Sequence, residues 1–229
     1  MQRFFFQTEL LKKDEFVIED RETVDQMRRV LRMRPKSKFI TLDNSGTEYL
    51  CEIIEIGRSV RAVKRSKSIS EVEPKISLTL FQALPKKPAL FELILQKCTE
   101  IGVTKFIPLI TQRTERSELP KIERMQRIIQ EAAEQSGRAI LPTLESPVNF
   151  KDVVDKNSIV LTISDEIKLL EIQSSDLELK LFIGPEGGFT NEEVEFTKSV
   201  GAKIASLGRR TLRTETAAIV ASGLLLYKS

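Results

Sequence analysis

The sequence contains no histidine, and this absence restricts the chemistry that the chain can perform. Without histidine, Ser-His-Asp and Cys-His catalytic arrangements are excluded, so any proton transfer must use a carboxylate, a lysine, a tyrosine or the substrate itself. Only two cysteines are present, Cys51 and Cys98, and neither has a partner at metal-ligand spacing. We therefore expect neither a disulfide framework nor a metal site.

Long apolar runs are also missing. No segment approaches the roughly 18 apolar residues that a membrane span needs. The consecutive phenylalanines Phe4, Phe5 and Phe6 are too few for the core of a secretion signal. The composition, 41% hydrophobic and 30% charged, is typical of a soluble globular protein. These features predict a cytoplasmic protein with no membrane partner.

The formal net charge is only +3, yet the positive charges are unevenly distributed. Two clusters of basic residues contain no acid: Arg28, Arg29, Arg32, Arg34, Lys36 and Lys38, and then Arg58, Arg61, Lys64, Arg65 and Lys67. Such clusters are typical of surfaces that bind a nucleic-acid backbone, although a pair of solvated basic faces gives the same pattern.

The spacing of apolar residues divides the chain near residues 68–75. Before this point, Val24, Met27, Val30 and Leu31 indicate one face of a helix, and two apolar segments joined by "NSG" predict a β-hairpin. After it, strands alternate with longer helices, which is the pattern of a parallel sheet built from βα units. We predict a small β-rich domain over residues 1–70 and an α/β domain over residues 71–229.

A glycine-rich turn stands in the segment "LFIGPEGGFTNEEVEF", residues 181–196. Thr190 and Glu193 have the spacing of a capping box, so we expect a helix to begin at Asn191. The turn then lies at the carboxyl end of a strand, where open parallel sheets bind their ligands.

The charge of this turn limits the kind of ligand. Glu186, followed by Glu192 and Glu193, would repel a pyrophosphate, and the chain lacks both GxGxxG and the Walker lysine. A flat heterocycle with a cationic centre fits better, because glycines let the backbone approach a ring edge and a carboxylate attracts a positive sulfonium. The alternative is a tight strand-to-helix turn whose glycines serve only the backbone.

A second segment, "SLGRRTLRTETAAIVASGLLL" at residues 206–226, precedes and includes the last predicted helix. This helix, from about Glu215, has almost no charge, so we expect it to be deeply buried or shared with another subunit. Three arginines precede it: Arg209, Arg210 and Arg213. Arg213 and Glu215 either form an ion pair at the helix start or face a bound substrate.

These two segments, with "QKCTEIGV" and "EAAEQSGR", resemble the ribosomal small-subunit RNA uridine-N3 methyltransferases of the SPOUT superfamily. The resemblance spans most of the chain, including a "VLRM" segment and a basic region similar to the family's PUA-like RNA-binding domain. It implies an α/β fold with a SPOUT-type parallel sheet and a C-terminal trefoil knot, a small N-terminal PUA-like β-barrel, and a homodimer. General topology rules argue against knots, so that expectation depends on the resemblance alone.

The resemblance also implies S-adenosylmethionine as cofactor, held by Leu161, Thr162, Ile183, Gly184, Pro185, Glu186, Gly187, Gly188, Ser206, Leu207, Gly208, Leu212, Thr216 and Ala217. The implied partner is small-subunit ribosomal RNA or the assembled small subunit, held by Arg3, Arg32, Arg34, Arg61, Lys64 and Arg65. The chain departs from the family where many relatives carry a histidine ahead of the "VLR" segment, since Asp25 and Gln26 stand there.

Methyl transfer to uridine N3 requires removal of the imide proton and stabilisation of negative charge on O2 and O4. We predict Arg213 for the second task, since a guanidinium can offer two donors. For the first task, Glu215 or Glu186 either accepts the proton or orients the base while solvent takes it. Two other classes of function remain. A nucleotide-dependent oxidoreductase is disfavoured by Glu186 and the missing GxGxxG, whereas a non-catalytic RNA-binding assembly factor would not bind S-adenosylmethionine.

Overall fold

The computed structural model describes residues 1–119, 121–163, 168–172 and 177–227. The chain forms two compact units: the first contains Met1–Glu73 and Ala133–Leu141, and the second contains Pro74–Ala132 and Pro142–Ser229. One segment predicted as a strand and its following loop, residues 158–166, includes residues 164–166, which lie outside the described residues.

The return of residues 133–141 to the first unit was not expected from the sequence. Glu73 holds this segment: its carboxylate accepts hydrogen bonds from Nη2 of Arg138 at 2.8 Å and from the amide of Ala139 at 2.9 Å. Because the helical pattern of the sequence continues into this segment, periodicity gives no sign of the change.

The first unit is built on a five-stranded sheet. Its elements are β1 (Arg3–Phe5), β2 (Glu15–Ile18), α1 (Arg21–Asp25), β3 (Lys38–Leu42), β4 (Thr47–Ile56) and β5 (Val60–Ile69). The strand order is β1-β3-β4-β5-β2, with β1 parallel to β3 and the other neighbours antiparallel. The β3–β4 pair confirms the predicted hairpin. The described pairings leave β1 and β2 at open edges, so they do not form the closed barrel that was expected.

The first helix is shorter than its apolar pattern predicts. After α1 the backbone forms a π-helical turn over Gln26–Val30. Val24 and Met27 are buried as predicted, but the side chain of Val30 is 73% exposed. The prediction for Val30 was wrong because the wider turn rotates this residue away from the face that Val24 and Met27 share.

The second unit is a parallel sheet covered by helices. Its elements are β6 (Ser77–Ala83), α2 (Pro88–Ile101), β7 (Lys105–Ile110), α3 (Ile122–Ser136), β8 (Thr143–Leu144), β9 (Val148–Asn149), α4 (Phe150–Val153), β10 (Ser158–Leu161), β11 (Glu178–Ile183), α5 (Asn191–Ser199), β12 (Lys203–Ala205) and α6 (Thr214–Tyr227). The strand order is β12-β10-β11-β6-β7-β8, with β9 also beside β7, and every pairing is parallel. The predicted α/β architecture is confirmed.

Both faces of the parallel sheet are buried. Along β6, Leu78 and Leu80 belong to one apolar cluster, whereas Phe81 and Ala83 belong to another. This division follows from strand geometry, in which successive side chains point to opposite faces. With both faces covered, the carboxyl edge of the strands is the place where loops can form a ligand site.

The last helix, α6, is only partly covered within the single chain. Ala218, Ala221 and Ser222 are fully buried, whereas Val220 is 40% exposed and Tyr227 is 74% exposed. Of the two predicted alternatives, deep burial and sharing with another subunit, deep burial within the single chain therefore holds for only part of the helix. Among the described residues, no helix has both the length and the apolar character needed to cross a membrane.

Candidate active site

A cavity of about 730 Å³ opens at the carboxyl edge of the parallel sheet. Its walls come from the ends of β10 and β11 and from segments that follow four neighbouring strands, β12, β10, β11 and β6. Both its position and its volume are typical of sites for small ligands. The predicted catalytic residues Arg213, Glu215 and Glu186 all line it.

The predicted cofactor residues line the same cavity, with two exceptions, Ser206 and Thr216. Ser206 is 3% exposed and its carbonyl accepts a hydrogen bond from the amide of Leu169, so it lies inside the sheet edge. Thr216 is exposed, whereas the next residue, Ala217, lines the cavity. Neighbouring residues of a helix point in different directions, so only one of this pair reaches the cavity.

Sequence reasoning missed one wall, the segment after β6 that contributes Lys86, Lys87 and Leu90. The pairing of β6 with β11 places this segment beside the glycine turn, although the two are far apart in the chain. The one available signal was general, since every loop at the carboxyl edge of a parallel sheet is a candidate wall.

The glycine turn at residues 184–188 has little room for side chains. The amide of Gly188 donates to the carbonyl of Pro185 at 2.8 Å, and Gly188 has a φ of 66°, a left-handed conformation that favours glycine. A Cβ atom on Gly184 would lie 3.2 Å from the ring of Phe189. The turn therefore presents backbone groups to the cavity.

Arg113, in the segment after β7, supports the turn from behind. Its Nη1 atom donates to the carbonyl of Gly187 at 2.5 Å and to that of Phe189 at 3.4 Å. A Cβ atom on Gly187 would lie 3.2 Å from Cδ of Arg113. The glycine at position 187 thus allows the arginine to pack directly against the backbone of the turn.

Two of the three glutamates expected to repel a phosphate, Glu192 and Glu193, already have hydrogen-bond or ion-pair partners in the protein. Glu193 is 1% exposed; its carboxylate accepts from the amides of Thr190 and Gln112, each at 2.8 Å, and completes the predicted capping box. Glu192 pairs with Lys151, which together with Gln112 lowers the pKa of the Glu192 carboxyl. These partners offset the negative charge of Glu192 and Glu193, so the predicted repulsion of a pyrophosphate depends mainly on Glu186.

Glu186 is held at the rim of the cavity by the segment after β6. Its Oε1 atom accepts a hydrogen bond from the amide of Lys86 at 3.1 Å. The Lys86 ammonium lies 2.7 Å from Glu115. The pKa of Lys86 is raised mainly by its hydrogen bond and ion pair with Glu115, and to a smaller extent by the charge of Glu186. Glu186 remains exposed and lines the cavity.

The start of α6 is tied to the glycine turn by a buried hydroxyl. Thr214 Oγ1 donates to the carbonyl of Gly184 at 2.7 Å and accepts from Nε2 of Gln82 at 2.9 Å. Thr214 is 5% exposed and Gln82 is 1% exposed. Three elements that surround the cavity, β6, β11 and α6, are thus connected through one side chain.

Arg213 and Glu215 stand on either side of Thr214 in the sequence and differ in exposure. Glu215 is 9% exposed, whereas Arg213 is exposed, and both line the cavity. Neither side chain forms an ion pair with any described residue, so the alternative of an Arg213–Glu215 pair at the helix start is not observed. The described part of the chain also contains no group of three or more metal-ligating side chains.

Two known families match the chain, and the boundary between the two matches lies near the boundary between the two units. An RNA methyltransferase domain matches residues 72–226, and an RNA methyltransferase PUA domain matches residues 27–62. The chain belongs to the RNA methyltransferase family. The first match includes every wall of the cavity, and the second includes most of the basic residues noted in the sequence.

Relatives and solved structures agree with this membership. The chain is 31% identical to "Ribosomal RNA small subunit methyltransferase E" of Rickettsia conorii, over 96% of this chain and 92% of the relative. It is 34% identical to the protein of the same name from Synechocystis, over 85% of this chain and 67% of the relative. A crystal structure of the Neisseria gonorrhoeae methyltransferase E bound to S-adenosyl methionine has a TM-score of 0.89 at 26% identity, covering 100% of this chain and 98% of that one.

Most of the basic residues predicted to bind RNA in the first unit are paired with acids. Arg3 lies 2.8 Å from Glu48, Arg61 lies 3.2 Å from Glu15 and 3.1 Å from Glu55, Lys64 lies 3.3 Å from Asp14, and Arg65 lies 3.2 Å from Glu52. Arg32 and Arg34 are exposed and have no ion-pair partner among the described residues. The sequence did not reveal these pairs because the acids come from other segments, Asp14 from just before β2 and the rest from other strands.

Proposed function

We propose that this chain uses S-adenosylmethionine to methylate N3 of uridine in small-subunit ribosomal RNA. The observation that carries the proposal is the cavity, in which a glycine turn, an arginine and two carboxylates come together at the carboxyl edge of the sheet. The relatives named as ribosomal RNA methyltransferases support ribosomal RNA as substrate, and the similar structure bound to S-adenosyl methionine supports the cofactor.

The residues of the cavity fit this cofactor. The bare backbone of the glycine turn and the apolar side chains of Leu161, Ile183 and Leu212 suit a flat adenine ring. The carboxylates of Glu186 and Glu215 suit a nearby positive charge. When bound there, S-adenosylmethionine supplies an electrophilic methyl group. The remaining predicted residues, Thr162, Leu207, Gly208 and Ala217, complete the walls.

Three side chains of the cavity are candidates for removing the N3 proton, holding the cofactor and stabilising negative charge on the base. Glu215 is buried beside the cavity and has no partner among the described residues, so we propose that its carboxylate accepts the proton from uridine N3. Glu186 already accepts a hydrogen bond from the amide of Lys86, which favours a role in holding the cofactor. Arg213 is exposed at the mouth, and its guanidinium can donate to O2 or O4 as negative charge develops.

Replacement of Arg213 tests this assignment. Arg213→Ala is expected to lower methyl transfer to small-subunit ribosomal RNA about 100- to 1,000-fold, as for the loss of one oxyanion donor. Titration calorimetry is expected to give an unchanged affinity for S-adenosylmethionine, and Lys203→Ala is the matched control. Equal turnover in wild type and Arg213→Ala would refute the role.

Two measurements on the wild type test the function itself. Micromolar binding of S-adenosylmethionine in titration calorimetry is expected, and its absence would favour the non-catalytic assembly factor. Ribosomal RNA from a deletion strain is expected to lack one N3-methyluridine, which mass spectrometry detects. A missing methyl group on another atom would overturn the uridine-N3 assignment.

We also propose that the chain forms a homodimer through α6. The exposed residues Thr216, Val220 and Tyr227 follow one another at helical spacing and form a stripe along this helix. Val220→Asp would place a charge in the stripe and is expected to give a monomer in sedimentation analysis. A wild-type chain that is already monomeric would contradict the proposal.

The trefoil knot is likewise a proposal for the second unit. Its support is the strand order, in which β12 returns to lie beside β10 on the side away from β11. A crystallographic trace of the whole chain is the test, and a C-terminal segment that passes outside the preceding loops would exclude the knot.

A further inference from the structure

The mouth of the cavity carries more positive charge than its own carboxylates neutralise. Four cationic side chains line the cavity, Lys86, Lys87, Arg210 and Arg213, together with two carboxylates, Glu186 and Glu215. Lys86 is already committed, since its ammonium lies 2.7 Å from Glu115. Lys87, Arg210 and Arg213 are exposed, and their side chains form no hydrogen bond or ion pair with the described residues.

The proposed cofactor does not require this charge. S-adenosylmethionine carries a sulfonium and an ammonium against a single carboxylate, so its own net charge is positive. With Lys86 paired to Glu115, the three remaining cations exceed the two lining carboxylates by one charge, and a cofactor of net positive charge does not neutralise that surplus. The surplus therefore indicates a polyanion, and a nucleic-acid backbone is the polyanion that fits an RNA methyltransferase.

Most of the basic residues predicted to bind RNA in the first unit are paired with acids, unlike these three cations. There, Arg61 and Arg65 each have acidic partners within about 3 Å, at 3.1 Å and 3.2 Å. An arginine that already contacts a carboxylate must give up that contact before it binds a phosphate. Lys87 and Arg210 have no such contact among the described residues and are free to bind one.

The sheet order places Lys87 and Arg210 on opposite sides of the mouth. Lys87 follows β6 and Arg210 follows β12, and these strands are separated in the sheet by β11 and β10. Three strand spacings correspond to about 14 Å at the sheet edge. When a nucleotide leaves its stack to enter the cavity, the RNA backbone continues in the 5′ direction on one side of the mouth and in the 3′ direction on the other side.

We propose that Lys87 and Arg210 form a phosphate-binding subsite that holds the RNA backbone on both sides of the target nucleotide. This inference depends on the proposed function, because it assigns the substrate-facing part of the same cavity. Phosphate contacts of this kind fix the position of the strand, while the cavity itself selects the base.

The test compares two double variants that each remove two positive charges. Lys87→Ala with Arg210→Ala removes the subsite, whereas Lys156→Ala with Lys203→Ala is the control, because both lysines are exposed and neither lines the cavity. Binding of oligouridine is measured over a series of salt concentrations, and S-adenosylmethionine binding is measured by calorimetry.

The subsite variant is expected to lower the slope of log affinity against log salt by about 1.4, since each contact with single-stranded phosphate contributes about 0.7. The control variant is expected to keep the wild-type slope, and both variants are expected to bind S-adenosylmethionine like the wild type. An unchanged slope in the subsite variant would overturn the inference. A tenfold loss of cofactor affinity with an unchanged slope would assign the two side chains to the cofactor instead.

Methyl transfer by the wild type separates this inference from the proposed function. A wild type that methylates RNA, with a subsite variant of unchanged slope, refutes the subsite alone. A wild type that methylates nothing, with the expected loss of slope in the variant, refutes the reaction and supports the phosphate subsite.

Discussion

The hydroxyl of Thr214 connects β6, β11 and α6, and its removal is the most direct test of how the site is held together. Thr214→Val keeps nearly the same shape, so it leaves no cavity, but it removes the donor to the Gly184 carbonyl and the acceptor for Gln82. The Gln82 amide keeps its bond to the carbonyl of Ala83. The carbonyl of Gly184 is the group that loses its partner.

The expected cost follows from these contacts. A buried polar group left without its partner costs about 1–3 kcal/mol. Because the Gln82 amide keeps its bond to Ala83, the cost comes from the Gly184 carbonyl, and we expect a total of about 2 kcal/mol. For a chain of this length, that loss lowers the melting temperature by about 4–8 °C. Because the Gly184 carbonyl belongs to the turn that lines the cavity, the affinity for S-adenosylmethionine is expected to fall about tenfold, which corresponds to about 1.4 kcal/mol.

Thr214→Ser is the matched control. It restores the hydroxyl and removes only one methyl group, for which a loss of about 0.8 kcal/mol is expected. Thermal denaturation and titration calorimetry are measured on the wild type and both variants. If Thr214→Val binds the cofactor as tightly as Thr214→Ser, the hydroxyl does not position the turn and this reasoning is refuted.

Two further predictions concern buried groups. Glu193→Gln places an amide nitrogen against the backbone amide of Thr190 or Gln112 and is expected to cost about 1–3 kcal/mol in chemical denaturation. The exposed neighbour Glu192→Gln is expected to cost much less, and equal losses would contradict the capping role. Burial raises the pKa of the Cys98 thiol from 9.0 to about 12. Between these values the unfolded chain releases a proton that the folded chain retains, so stability falls as pH rises above 9.0, by up to about 1.4 kcal/mol per pH unit. The stability advantage of wild type over Cys98→Ala is therefore expected to shrink in that range, and a constant difference in denaturation free energy would contradict it.

Local signals in the sequence predicted local structure well. The spacing of Thr190 and Glu193 predicted the capping box, and the glycine at position 102 predicted the end of α2, where its φ is 120°. The alternation of strands and helices predicted the parallel sheet. Each of these features depends on residues a few positions apart, so a single segment contains the information.

Features that depend on distant residues were not predictable. The wall that contains Lys87 joins the site only because β6 lies beside β11. The pairing of Arg61 with Glu15 depends on β2 lying beside β5, and the return of residues 133–141 depends on Glu73. The orientation of Val30 was missed for a different reason, because a π-helical turn has no periodic signal of its own.

The order in which the walls of the cavity occur along the chain has a consequence for biosynthesis. The segment after β6 is made first, and residues 207–217, which form the wall after β12, are made last. A nascent chain that has not yet reached residue 217 would have three sides of a pocket and an uncovered apolar sheet face where α6 belongs. Ligand binding would then stabilise the second unit only at the end of synthesis, and until that point protection from aggregation would have to come from the ribosome or from chaperones.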